Sequence, residues 1–169
     1  MKRLAPLLAA LAAVLMLPGC GLHPLYAGGG SGVVATSLSR IEVAPMEGKA
    51  GFLMNNALAD RFAARGEPAL YRLEVRLQDR ITGLGVRRDD SVSRERRSLR
   101  ARYRLIDLSN GAVLLDATAG SDAGIDVVNS EYATIAAEDT ALERLSGIVA
   151  DQIVARVALY ARRAVPSAP

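Results

Sequence analysis

Residues 71–78 of the chain read YRLEVRLQ, and this stretch decides the fold class. Its apolar side chains alternate with charged or polar ones, the apolar set being Tyr71, Leu73, Val75 and Leu77. Successive side chains of a β-strand point to opposite faces, so a period of two predicts a strand with one apolar face and one polar face. The core is therefore expected on one side of a sheet only.

Three further segments alternate in the same way: residues 38–44, 99–106 and 113–119. Pro45 ends the first of them, because proline cannot donate a ladder hydrogen bond. Asn110 and Gly111 stand between the last two and favour a tight hairpin turn. The last two strands are therefore predicted to pair antiparallel.

Two segments have helical spacing instead. Residues 51–65 place apolar side chains at helical intervals and are followed by Gly66 and Pro68, which end helices. Residues 132–163 form a longer helical pattern with acids early and arginines late, which suits the helix dipole. The order β-α-β-β-β-α predicts a two-layer α+β fold, with a four-stranded, mainly antiparallel sheet and both helices on one face.

The apolar face of the sheet should pack on the helices. The strand residues expected in this core are Leu73, Val75, Tyr103 and Leu105, and their helical partners are Leu58, Phe62, Leu145 and Val149. The charged face is expected to lie in water.

The N-terminus has the pattern of an export signal. Two basic residues precede an apolar run over residues 4–17, which is shorter than the roughly 20 residues needed to span a bilayer. The run ends in Leu-Pro-Gly-Cys, similar to a bacterial lipobox, with Pro18 at a position usually held by a small residue. We therefore predict cleavage before Cys20 and acylation of Cys20, which would anchor the protein on a membrane.

These patterns divide the chain into four parts. Residues 1–19 are the predicted signal peptide, residues 20–37 the lipidated N-terminus and glycine-rich flexible tether, residues 38–163 the α+β domain and residues 164–169 a disordered tail. The formal charge of +3 includes two basic residues of the signal, so the mature chain is nearly neutral. Global charge thus argues against a nucleic-acid partner.

Catalytic and metal-binding residues are scarce. His23 is the single histidine and Cys20 the single cysteine, so neither a zinc cluster nor a nucleophile triad can be assembled from them. We predict no enzymatic activity, no metal and no cofactor other than the covalent acyl anchor.

The most informative constellation is a row of arginines in the third predicted strand. The strand period places five of them on one face: Arg94, Arg96, Arg100, Arg102 and Arg104. A guanidinium group matches phosphate and carboxylate oxygens, so the row could bind a polyanionic lipid headgroup. It could equally be a solvated strand face in which Glu74, Asp107 and Asp116 neutralise some of the arginines.

With these residues in view, the chain resembles the LptE family, also called RlpB, of lipopolysaccharide-assembly lipoproteins. The resemblance rests on the order and spacing of several segments: CGLHPLY at 20–26, IEVAP at 41–45, NNAL at 55–58, YRLEV at 71–75, the Asn110–Gly111 turn and YAT at 132–134. It covers the whole mature domain.

The resemblance implies a function. It implies an outer-membrane lipoprotein, facing the periplasm, that acts as a plug and adapter for the LptD β-barrel and assists lipopolysaccharide delivery, with the arginine row as a candidate lipopolysaccharide contact. Gly21 agrees with the outer membrane, since an Asp there would be the inner-membrane retention signal. Two alternatives stay open: a free-standing periplasmic lipoprotein that binds an anionic lipid or glycan, and, more remotely, a degenerate enzyme.

Overall fold

The computed structural model describes residues 33–62, 68–86, 92–128 and 130–164. Its elements are, in chain order, α1 (Val33–Leu38), β1 (Ile41–Val43), α2 (Gly48–Phe62), β2 (Tyr71–Val86), β3 (Val92–Asp107), β4 (Val113–Asp126) and α3 (Glu131–Ala164). The strands form one sheet in the order β1-β2-β3-β4. Strand β1 pairs parallel with β2, and the other pairs are antiparallel. The predicted α+β class is confirmed.

Strands β2 and β3 form the centre of the sheet because their apolar positions fall on the same face. Leu73 lies opposite Leu105, and Val75 lies opposite Tyr103. All four are buried, and they belong to one continuous apolar core with the helices. The predicted assignment of the apolar face to the core is therefore confirmed.

Helices α2 and α3 cover this face side by side. Helix α3 packs on β3 and β4 and also against α2. Two ion pairs join the helices, Lys49 to Asp139 at 2.6 Å and Arg61 to Asp151 at 2.6 Å. Both partners advance by twelve residues from one pair to the next, so the two helices run in the same direction.

The sequence prediction missed one helix. Leu38 ends α1 instead of starting the first strand, which is limited to Ile41–Val43. Residues 33–37, which the sequence predicts as part of the flexible tether, thus belong to a helix that packs against α3. Alternation over so few residues does not distinguish a strand from a helical turn, because Leu38 and Ile41 are both buried and lie three residues apart.

The central hairpin is longer than its alternating pattern suggested. Strand β2 continues to Val86 and β3 begins at Val92, so Arg94 and Arg96 lie in the strand and not in a loop. The β3–β4 connection contains the expected glycine, since Gly111 has φ of 74°. Its backbone N–H donates to the Asp107 carbonyl at 2.8 Å.

Several predictions lie outside the described residues. They include the signal peptide, the anchor at Cys20, His23 and the glycine-rich tether over residues 28–32. Helix α3 extends through Ala164, one residue beyond the predicted end of the domain at Arg163, and residues 165–169 are outside the described ranges.

Candidate anion-binding face of the sheet

The side of the sheet turned away from the helices carries the predicted arginines. We call this side the outer face, and it is formed by the even-numbered side chains of β2, β3 and β4 together with Glu42 of β1. The structure places Arg94, Arg96, Arg100, Arg102 and Arg104 on it. Four of these side chains are exposed and Arg104 is half-buried.

Most of the row is neutralised by neighbouring strands. The ion pairs are Arg94–Asp126 at 3.1 Å, Arg100–Asp122 at 2.8 Å, Arg102–Asp116 at 2.9 Å and Arg104–Glu74 at 2.7 Å. A fifth pair joins Arg72 to Glu42 at 2.6 Å. Exposed pairs of this kind contribute little to stability, because water and salt screen them. Their main effect here is to fix where the guanidinium groups lie.

Hydrogen bonds favour the ionised form of two acids on the outer face, Asp116 and Asp122. The pKa of Asp116 lies below its ordinary value because Arg102 donates hydrogen bonds to the carboxylate. The pKa of Asp122 is also lowered, first by hydrogen bonds from Arg100 and then by one from Ser98. Asp116 and Asp122 are therefore ionised at neutral pH and remain paired with Arg102 and Arg100.

Gly120 decides the path of the Arg100 side chain. The side chain lies across Gly120, and a Cβ at this position would collide with its Cδ. From there Arg100 donates to the Ser121 carbonyl at 2.9 Å and to Asp122. Gln152 of α3 holds the Gly120 backbone, accepting a hydrogen bond from the Gly120 N–H at 3.1 Å. Because Gly120 has no side chain, Arg100 can lie directly against the backbone of β4.

Three cations of the outer face make no ion pair within 4.0 Å among the residues that the structure describes: Arg76, Arg80 and Arg96. Arg76 lies directly opposite Arg102, with Arg100 and Arg104 as its diagonal neighbours. Like charges opposite each other on a sheet repel. This is therefore the point where the face would gain most from a bound anion.

Sequence reasoning missed Arg76 and Arg80, although a signal for both was present. Arg76 occupies a charged position of the alternation that predicted β2, and Arg80 lies two residues beyond the end of that alternation. What the pattern lacked was the register between β2 and β3, which places Arg76 against the arginine row. A search for arginines on adjacent predicted strands, in place of a local run, would have found them.

An open groove of about 730 Å³ runs over this part of the face. Its polar lining residues are Arg76, Gln78, Arg100, Arg102, Thr118 and Gln152. Guanidinium forks with neighbouring amide and hydroxyl groups are suited to phosphate or carboxylate oxygens. The groove therefore offers binding groups for an anion.

Arg97 belongs to a different environment. It points to the helix side of the sheet, where it is buried and forms a two-pronged ion pair with Asp79. It also donates to the backbone carbonyl of Glu138 at 2.7 Å. The hydrogen bond from its guanidinium to Asp79 raises the pKa of Arg97. Arg97 thus ties the hairpin to α3 and does not contribute to the outer face.

Within the described part of the chain, no three His, Cys, Asp or Glu side chains converge as metal ligands. None of its helices combines the length and the apolar character needed to span a bilayer. Fold and site together define an α+β domain with a charged, grooved sheet face, a surface that suits a binding or assembly protein.

The family model described as lipopolysaccharide-assembly, LptE, matches residues 38–157. The chain therefore belongs to the LptE family, which is a non-enzymatic family of lipopolysaccharide-assembly lipoproteins. No curated protein gives a significant match to the chain.

Solved structures share the fold. A putative lipoprotein from Caulobacter crescentus is 28% identical, with a TM-score of 0.68 over 80% of this chain and 100% of that one. The rare lipoprotein B from Shewanella oneidensis is 9% identical, with a TM-score of 0.55 over 73% of this chain and 96% of that one. Lipoprotein B from Nitrosomonas europaea is 16% identical, with a TM-score of 0.55 over 72% and 82%.

Proposed function

We propose that this protein is an outer-membrane lipoprotein that assists lipopolysaccharide assembly, and that its outer face receives the anionic groups of the lipopolysaccharide. In this proposal the protein has no enzymatic activity. It is anchored through acyl chains on Cys20, faces the periplasm and acts as a plug and adapter for the LptD β-barrel. Family membership supports the lipopolysaccharide-assembly role.

The observation that carries the ligand proposal is the excess of cations on the outer face. Its described arginines are Arg72, Arg76, Arg80, Arg94, Arg96, Arg100, Arg102 and Arg104, and its described acids are Glu42, Glu74, Asp116, Asp122 and Asp126. Each of the five acids forms an ion pair with one arginine, so three of the eight arginines have no partner among these acids. A ligand phosphate would therefore meet cations that make no ion pair with any described carboxylate, and one of them, Arg76, lines the groove.

Lipopolysaccharide binding by the purified full chain across a salt series tests the ligand proposal. Arg76→Glu should weaken binding and reduce its salt dependence, because a cation that contacts phosphate is replaced by an anion. Arg163→Glu is the matched control, since it changes the net charge equally on an exposed side chain near the end of α3. An equal loss of lipopolysaccharide binding in both variants would show that the effect comes from the net charge of the protein and not from the outer face.

The predicted pair Arg100→Glu with Arg102→Glu is a second test. Both side chains line the groove, but both are held by carboxylates. The double variant should weaken lipopolysaccharide binding while circular dichroism and barrel co-purification stay unchanged. Binding that survives while the barrel is lost would assign these arginines to the protein partner instead.

The anchor and the barrel partner need their own measurements. Mass spectrometry of the mature N-terminus should show an acylated Cys20, and Cys20→Ala should abolish that modification. The anchored protein, purified from outer membranes, should bring a large barrel with it. Recovery of the protein alone, still binding lipopolysaccharide, would instead favour a free-standing lipoprotein.

A further inference from the structure

Strand β4 lies at the edge of the sheet, and part of its backbone is unpaired on the open side. The N–H of Val127 donates to the Ser93 carbonyl of β3 at 3.1 Å, so the odd-numbered residues of β4 bond to β3. Backbone groups alternate sides in an antiparallel pair, and the even-numbered residues therefore face the open edge. Within the described ranges, the edge-facing backbone of Asp122, Gly124 and Asp126 makes no hydrogen bond. Such groups are a template for another strand.

The side chain of Gln152 shows what this edge can bind. Its amide oxygen accepts a hydrogen bond from the Gly120 N–H at 3.1 Å, and its amide nitrogen donates to the Gly120 carbonyl at 3.4 Å. A residue of a neighbouring antiparallel strand would make the same two hydrogen bonds. Gln152 thus covers the edge at Gly120 and leaves residues 122–126 open.

A groove of about 480 Å³ lies beside this open part of the edge. One side is formed by residues 124–126 of β4, and the other by Ala136, Ala137, Thr140, Ala141 and Arg144 of α3. Helix α3 between Ala137 and Gln152 and strand β4 between Gly120 and Asp126 each cover about 20 Å, so the two elements run alongside each other. The small side chains of α3 leave room for a further backbone next to β4.

The charges around the groove favour one kind of occupant. Asp122 and Asp126 lie on the outer face with side chains that are 43% and 79% exposed, whereas Arg144 lies on the α3 side. Basic side chains of an added strand are therefore favoured on the outer face and disfavoured beside α3. A second copy of this chain fits poorly. Antiparallel pairing of two β4 strands about Gly124 would place Asp122 opposite Asp126, and like charges repel.

We propose that residues 122–126 of β4 are a docking site for an extended segment of a partner protein, which adds antiparallel to the edge beside α3. The segment alternates basic and apolar side chains, with the basic ones on the outer face and the apolar ones in the groove. Its backbone supplies the regular N–H and C=O groups that this edge lacks, and a lipid cannot supply that pattern. The site is separate from the groove at Arg76 and goes beyond the proposed function.

A short peptide tests the docking site on the wild-type protein. The probe is an amidated Lys-Val-Lys-Val-Lys peptide with a fluorophore at its N-terminus, and fluorescence anisotropy measures its binding to the purified full chain. In antiparallel addition the lysine opposite Gly124 bonds to β4, whereas the valine N–H groups point away. N-methylation of the central lysine should weaken binding at least about tenfold. N-methylation of one valine, which gives a peptide of equal charge and mass, should leave binding unchanged.

A proline substitution removes the matching donor from the protein. The N–H of Gly124 takes no part in the β3 ladder, and an added Cβ would meet only the Arg94 side chain at 4.0 Å, so proline is tolerated there. Gly124→Pro should weaken peptide binding at least about tenfold. Thr118→Pro is the matched control, because Thr118 also faces the open edge but lies on the other side of Gly120. Circular dichroism should show folded protein in both variants.

Four results would each overturn the proposal. Equal weakening by the two N-methylated peptides would show that the probe binds through its charge and not as a strand. Unchanged binding in Gly124→Pro would place the peptide elsewhere on the protein. A wild-type chain that sediments as a dimer, and as a monomer after Gly124→Pro, would make the edge an interface between copies. Lipopolysaccharide that displaces the peptide, and that itself binds Gly124→Pro more weakly, would assign the groove to lipid.

Discussion

Strand β3 carries arginines on both of its faces, and their surroundings differ. Arg97 on the helix side is only 10% exposed in its side chain, whereas Arg102 on the outer face is 67% exposed. Each donates to an aspartate of an adjacent strand. Because the Arg97–Asp79 pair is buried, it contributes to the packing of the fold. Because the Arg102–Asp116 pair is exposed, its guanidinium group is accessible to a ligand. The same pair of residue types thus serves packing on the helix side and, in the proposed function, ligand binding on the outer face.

The largest expected effect lies on the helix side of the sheet. Leu73→Ala should lower the free energy of unfolding by about 2–5 kcal/mol, because Leu73 is fully buried and its loss leaves a cavity. Leu108→Ala is the matched control at a side chain that is 39% exposed, and it should change little. Urea unfolding followed by circular dichroism measures both. Similar losses in the two variants would contradict the assignment of faces.

Removal of the buried Arg97 side chain should have the second-largest effect on the free energy of unfolding. Arg97→Ala should cost about 2 kcal/mol of unfolding free energy, because it leaves Asp79 and the Glu138 carbonyl without their charged donor. Arg102→Ala should leave the urea midpoint nearly unchanged. If Arg102→Ala destabilises as much as Arg97→Ala, the contrast between the two faces of β3 is wrong.

A smaller effect is expected at Glu138 on the helix side. Burial, followed by the charge of Glu95, raises the pKa of Glu138 above its ordinary value of 4.5. Arg97 opposes this shift, and Asp139 adds to it. Because the folded state holds this proton more tightly, the ionised carboxylate costs stability at neutral pH, and the cost disappears as pH falls through the raised pKa.

Glu138→Gln should therefore raise the unfolding free energy at pH 7. It should also flatten the dependence of stability on pH between 4.5 and the raised pKa. Unfolding measured at both ends of this interval checks the prediction. A loss of stability in Glu138→Gln at pH 7 would show that the carboxylate is favourably paired, contrary to the expected sign.

The smallest expected effect is a change in the pKa of one carboxyl group on the outer face, that of Asp116. The pKa of Asp116 lies below 3.8 because of Arg102, so its contribution to stability is present above 3.8 and is lost as pH falls through the lowered pKa. In Arg102→Ala the pKa of Asp116 should rise towards 3.8, as measured by NMR titration. Asp107 is the internal control, because Ser109 lowers its pKa. Parallel movement of both would indicate a general change in the protein.

The sequence by itself determined the local elements and the two faces of the sheet. Alternation placed Leu73 and Tyr103 in the core and the arginine row on the other side, because the period of two is a property of a single strand. Helical spacing likewise identified α2 and α3. The sequence did not predict the six-residue helix α1, because a segment of that length has too few positions to reveal a period.

Only the tertiary structure decided which charges meet. Arg76 faces Arg102, Arg97 reaches Asp79, and Arg100 passes over Gly120, and each of these contacts depends on strand register. Register is set by cross-strand pairing between residues distant in sequence, which no local pattern contains. For that reason the sequence revealed the arginine row, but it did not reveal which of its members pair with acids of the neighbouring strands.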